Sequence, residues 1–99
     1  MLVRASSNGV SLDAPRDFTT LSLILEGPGA EVAAARVGEW IDPDHLVVPA
    51  ETLATMAGPV AAETGWRAGF DQMIAYATQR GFLDAAGRIR IHVESRSGG

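Results

Sequence analysis

The sequence contains no cysteine, which excludes disulfide cross-links, thiol nucleophiles and thiolate metal sites together. It contains no lysine either, since all eight basic residues are arginine. With many alanines and glycines, this composition reads as the coding bias of a GC-rich bacterial genome, and no mechanism attaches to it. No apolar run approaches the roughly 20 residues that a membrane helix needs. Met1-Leu2-Val3-Arg4 is not followed by the apolar stretch of a signal peptide. These absences lead to the expectation of a cytoplasmic protein that does not meet a membrane. Catalytic signatures are missing too. There is no G-x-S-x-G, and no serine stands in a recognisable arrangement with a histidine and an acid. Neither H-E-x-x-H nor a calcium-loop pattern occurs. No cofactor and no metal is therefore expected.

What is present fits one globular domain. The chain has 99 residues, of which 46% are hydrophobic and 20% charged, enough for a single core but not for a two-domain enzyme. Residues 1–99 are read as one domain, with 1–5 and 95–99 frayed.

The clearest pattern runs from Trp66 to Glu94. Trp66, Phe70, Met73, Ile74 and Ala77 recur at the spacing that lines one side of a helix over 66–80, with Arg67, Asp71, Gln72, Thr78 and Gln79 on the other side. Gly81 stands where a left-handed residue ends a helix. Asp84-Ala85-Ala86-Gly87 supplies a turn, and the chain then alternates. Ile89, Ile91 and Val93 point one way, while Arg88, Arg90, His92 and Glu94 point the other.

Further upstream, Phe18–Glu26 reads as a strand with Leu21, Leu23 and Leu25 inward, ended by Gly27-Pro28-Gly29. Ser6-Ser7-Asn8-Gly9 allows a short edge hairpin. Residues 30–41 fit either a helix or a strand. The hairpin reading is preferred, with 31–37 as a third strand. Asp42-Pro43-Asp44-His45 is a turn, and Pro49 opens a short helix near 50–57. The expected fold is α+β: a small antiparallel sheet of three to four strands, covered on one face by the long helix. The expected core is Leu21, Leu23, Leu25, Val37, Leu53, Phe70, Met73, Ile74, Ala77, Leu83, Ile89, Ile91 and Val93.

Charge is segregated. Residues 21–65 carry seven acids against Arg36, while residues 66–99 carry five arginines against Asp71, Asp84 and Glu94. The acidic middle disfavours nucleic-acid binding, whose affinity comes from neutralising phosphates. It leaves room for contacts between unlike faces of two chains.

Candidate functional residues fall in two groups. Trp40, Asp42, Asp44, His45 and Glu51 bring carboxylates, an imidazole and an indole into one segment. Those types could hold a metal, serve as acid and base, or stack on a ligand. His45, Asp42, Asp44 and Glu51 are its weak catalytic candidates, beside the plainer reading of a solvated turn. Arg88, Arg90 and His92 form a row that could hold an anion or a carboxylate partner, or simply keep a strand from self-pairing. Gly27-Pro28-Gly29 resembles the start of a dinucleotide fingerprint, but Val32 replaces the third glycine and it reads as a turn.

Three functions remain on this reading. The first is a small non-catalytic interaction or accessory protein that self-associates as a homodimer or binds another protein. The second is a small enzyme or a ligand- or metal-binding protein using the Trp40–Glu51 segment, which requires His45, Asp42 and Asp44 to converge on one pocket. The third is a DNA-binding protein like a winged helix, with the helices near 50–57 and 66–80 followed by the last strand.

Overall fold

The structure, a computed structural model, describes residues 1–97. Six strands form one mixed sheet: β1 Leu2–Ser6, β2 Gly9–Asp13, β3 Ser22–Glu26, β4 Glu39–Asp42, β5 His45–Pro49 and β6 Arg88–Ser97, in the order β2-β1-β3-β6-β5-β4. Three α-helices lie between them: α1 Ala30–Ala34, α2 Ala50–Met56 and α3 Trp66–Gln79, with a 3-10 turn at Gly58–Ala62. The α+β class therefore stands, but the sheet is larger than expected and is not purely antiparallel. β1, β3 and β6 run parallel to one another, and the remaining neighbours are antiparallel.

The expected fraying of residues 1–5 is replaced by an interior strand. β1 lies between β2 and β3, and Met1, Val3 and Ala5 are buried. Its side chains are too small and too few to announce a strand locally. The partners that fix it arrive from β3, with Val3 opposite Leu23 and Ala5 opposite Leu25. At the other end, 95–97 continue β6, and 98–99 lie outside the described residues.

Residues 31–37 are not a strand. Gly29 takes φ +84 before α1, and the alanines Ala30, Ala33 and Ala34 are buried, so the helix-favouring composition prevails. The turn after α1 brings Gly38 against β5, where an added Cβ would collide with the Val47 carbonyl oxygen. Only a residue without a side chain allows that approach.

The core lies on one face of the sheet, where Val3, Ala5, Leu23, Leu25, Leu46, Val48, Ile89 and Ile91 are buried with Leu53, Phe70 and Met73 of the helices. Leu21, Ile74, Leu83 and Val93 are only partly buried and pack around this centre. α3 is pinned by aromatic packing. Trp66 stacks on Phe70 at 4.9 Å, meets Phe18 edge-on at 5.8 Å, and donates its indole N–H to the Pro15 carbonyl at 2.9 Å.

The helix ends as its sequence specifies. Gly81 has φ +78, its N–H bonds the Thr78 carbonyl, and the Phe82 N–H bonds the Ala77 carbonyl at 2.8 Å, which is the double closure of a Schellman motif. Among the described residues, no helix is long and apolar enough to cross a membrane.

Candidate functional site

The antiparallel register of β5 and β6 sets His45 opposite His92 and Val47 opposite Arg90. Opposed residues share a face of a sheet, and here it is the face turned away from the buried Leu46, Val48, Ile89 and Ile91. Residues from the two candidate groups, separate in the sequence, are thus brought side by side.

A break in the sheet beside β6 opens a cleft at this place. The Arg90 N–H donates to the Phe82 carbonyl at 2.8 Å, and Leu83 bridges Ile89, whereas His92 lies opposite Ser22 of β3. Between Phe82 and Ser22 the neighbour of β6 changes. The resulting cavity measures ≈ 350 Å³. Its polar lining is Thr19, Thr20, His45, Arg90 and His92. Its apolar lining is Phe18, Leu21, Met73, Ala77 and Ile89, and the aromatic rings of Tyr76 and Phe82 complete it. Those two residues are 59% and 37% exposed.

His45 is held from behind. The turn at Pro43-Asp44 returns the chain so that the Asp42 carboxylate lies 2.9 and 3.0 Å from His45 Nδ1. An ionised carboxylate only accepts, so Nδ1 carries the hydrogen in this contact and Nε2 is left for another partner. The Asp44 backbone N–H, 2.8 Å from Asp42 Oδ1, holds the Asp42 carboxyl below its ordinary range, and the His45 ring adds to this.

The other candidates are placed elsewhere. Asp42, Asp44 and His45 do not converge on one pocket. The two aspartates border a shallow depression of ≈ 520 Å³ with Glu31, Trp40, Pro43 and Arg96, while His45 lines the cleft. The Trp40 ring is half-buried and donates its N–H to the Glu31 carbonyl at 3.0 Å. Glu51 sits in the first turn of α2 with both oxygens on Arg67, at 3.1 and 2.7 Å, and this guanidinium lowers its pKa. Arg88 is engaged by Asp84 at 2.8 Å and Glu39 at 2.6 Å, so it clamps the turn before β6 and is not free for a ligand. Among the described residues, no group of three or more histidines and acids could hold a metal ion.

Residues that sequence reasoning did not single out include Tyr76, Phe82 and Arg96. Tyr76 carried a signal, an aromatic ring on the polar side of an amphipathic helix. Arg96 did not. A register shift places Leu23 opposite Val93 but Ile24 opposite Ser95, and this bulge at Glu94 sets Arg96 opposite Leu25. There its guanidinium reaches Glu31 of α1 at 2.8 Å and the Pro43 carbonyl, a re-aiming that bulges commonly produce.

No protein-family model matches the chain, nor does any curated protein or any solved structure.

Proposed function

We propose that this protein is a small binding module, an accessory protein that acts by engaging a partner and not by turnover, and that the cleft beside β6 is where it binds. One observation carries the reading. Tyr76 and Phe82 expose their rings at the same cleft that presents Arg90. Aromatic and arginine side chains dominate the energetics of contact surfaces, and exposed rings grouped around a concavity mark binding sites more often than rings scattered singly.

The test is a fragment screen read by backbone amide shifts. Perturbations are expected to concentrate on residues 19–21, Tyr76, Phe82 and 90–92. Hits that map consistently elsewhere would overturn the reading. Light scattering on the same sample reports whether a second copy is itself a partner. If the cleft joins two copies, the double variant Tyr76→Ser with Phe82→Ser converts a dimer to a monomer.

The Asp42–His45 contact favours a second reading, an acid–base role for the Nε2 of His45. It would be supported by a substrate turned over by the native chain and not by His45→Ala. The winged-helix alternative draws little from the geometry. Arg67 of α3 is spent on Glu51 and Asp71, and Arg80 lies over the ring of Tyr76.

A further inference from the structure

Of the eight arginines, Arg4, Arg16, Arg67, Arg88 and Arg96 are each ion-paired within the described residues. Two of the remaining three sit at one place. The Arg90 guanidinium lies 5.0 Å from the centroid of the Phe82 ring, and that of Arg80 lies 5.5 Å from the centroid of Tyr76. Arg90 therefore lines the cleft and Arg80 stands next to it on the Tyr76 ring, each laid on an aromatic ring and each without an acidic partner among the described residues. No Asp or Glu lines the cavity, although the chain as a whole is acidic at −4. Asp42 stands behind His45, and the Asp17 carboxylate stands behind Thr19 and Thr20, whose hydroxyls donate to it.

Cations laid on rings are attracted by the ring face, and a guanidinium so placed keeps its N–H edge for an acceptor. His45 and His92 add imidazole groups, the Thr19 and Thr20 hydroxyls being engaged by Asp17, while Phe18, Leu21, Met73, Ala77 and Ile89 supply an apolar wall. A volume of ≈ 350 Å³ falls at the small end of ligand cavities. An inorganic anion would leave the apolar wall without a partner, and an apolar molecule would leave the cations without one.

We propose that the cleft binds a free small carboxylic acid with an apolar, aryl-sized body, its carboxylate on Arg90 and its body against Leu21, Met73 and Ala77. This rests on the binding reading above and specifies the ligand class.

The probes are phenylacetate, its neutral amide phenylacetamide, inorganic phosphate, and a short peptide ending in phenylalanine, each titrated into the whole chain and followed by amide shifts and calorimetry. Phenylacetate is expected to bind at the cleft and more tightly than the other three. Arg90→Gln should weaken it by about 10-fold or more, the loss expected for a hydrogen bond to a charged group, and should leave phenylacetamide within about 2-fold. Because Arg90 is exposed, this variant removes no core contact. Arg80→Gln, a second exposed variant, should also weaken the acid selectively.

If phenylacetamide binds the cleft as well as phenylacetate does, the acid assignment is overturned while the binding reading stands. Tighter binding of phosphate overturns the apolar body, and tighter binding of the peptide moves the site to a chain terminus and overturns the free acid. If none of the four perturbs the cleft, the acid assignment is overturned, and the fragment screen then decides the binding reading separately.

Discussion

Asp42 grips the imidazole of His45 through both carboxylate oxygens, at 2.9 and 3.0 Å from Nδ1, while His92, directly opposite on β6, has no such acidic support among the described residues. Two histidines that share a cleft are thereby made unequal. One is oriented, with Nε2 left for another partner, and the other has no carboxylate to orient it among the described residues. Such support fixes both the tautomer and the ring plane, which is what a binding group needs if it is to offer one particular hydrogen bond.

The first prediction follows from that pair. Nitrogen-15 spectra of the neutral rings should show His45 as the Nδ1–H tautomer, and Asp42→Asn should shift it towards Nε2–H, since an amide no longer requires a donor at Nδ1. His92 should not respond to this substitution. Equal responses in the two rings would show that Asp42 does not distinguish them.

Gly38 provides a test of the β4–β5 packing. A methyl group there would collide with the Val47 carbonyl oxygen and stand 2.9 Å from a Val48 methyl. The carbonyl belongs to the interior of a paired strand and cannot easily yield. Gly38→Ala is expected to lower stability by about 1–3 kcal/mol, the usual cost of overpacking, read as a lower urea midpoint at unchanged slope. A variant as stable as the parent would mean that β4 can slide along β5.

Phe70 carries the attachment of α3. It is fully buried, and its ring stacks on Trp66 at 4.9 Å with an interplanar angle of 13°. Phe70→Ala should cost about 3–5 kcal/mol and shift the Trp66 emission to longer wavelength as water reaches the indole. A loss below 1 kcal/mol would contradict the assignment of this ring to the core.

What could be read in advance was local. The period of Trp66, Phe70, Met73 and Ala77 identifies α3, and Gly81 marks its end because left-handed backbone favours glycine. The alternation through Ile89 and Ile91 identifies the inner face of β6. Parallel pairing of β1 with β3 has no local signature, because it is fixed by contacts between segments that the chain brings together only on folding. Residues 30–41 fit helix and strand alike for a related reason, since the two periods overlap in so short an alanine-rich run, and the preferred strand over 31–37 gives way to α1. The cleft was half legible. His45, Arg90 and His92 were candidates by residue type, but their union depends on the β5–β6 register. The exposure of Tyr76 and Phe82 depends on where the sheet breaks.

Acid should destabilise the fold through a specific set of carboxylates. Asp84 is the best placed. One oxygen accepts the Ala86 and Arg88 backbone N–H groups at 2.9 Å each, and the other accepts Arg88 Nε at 2.8 Å. These donors hold its pKa below the ordinary value, the Arg88 backbone N–H most of all. Asp17 is lowered by Thr19, Asp42 by the Asp44 backbone, Glu51 by Arg67 and Glu63 by Arg16. Each group thus binds its proton less readily when folded than when unfolded. The stability it contributes is present above the unfolded values of about 4 and is lost as the pH falls through the lower folded values. Urea midpoints should be level near neutrality and fall steadily on acidification below about pH 4. Asp84→Asn keeps an acceptor for the turn but removes the titrating charge, so it should lower the neutral-pH midpoint and flatten the acid limb. An unchanged acid slope in Asp84→Asn would remove this turn from the set and leave the loss to the remaining four carboxylates.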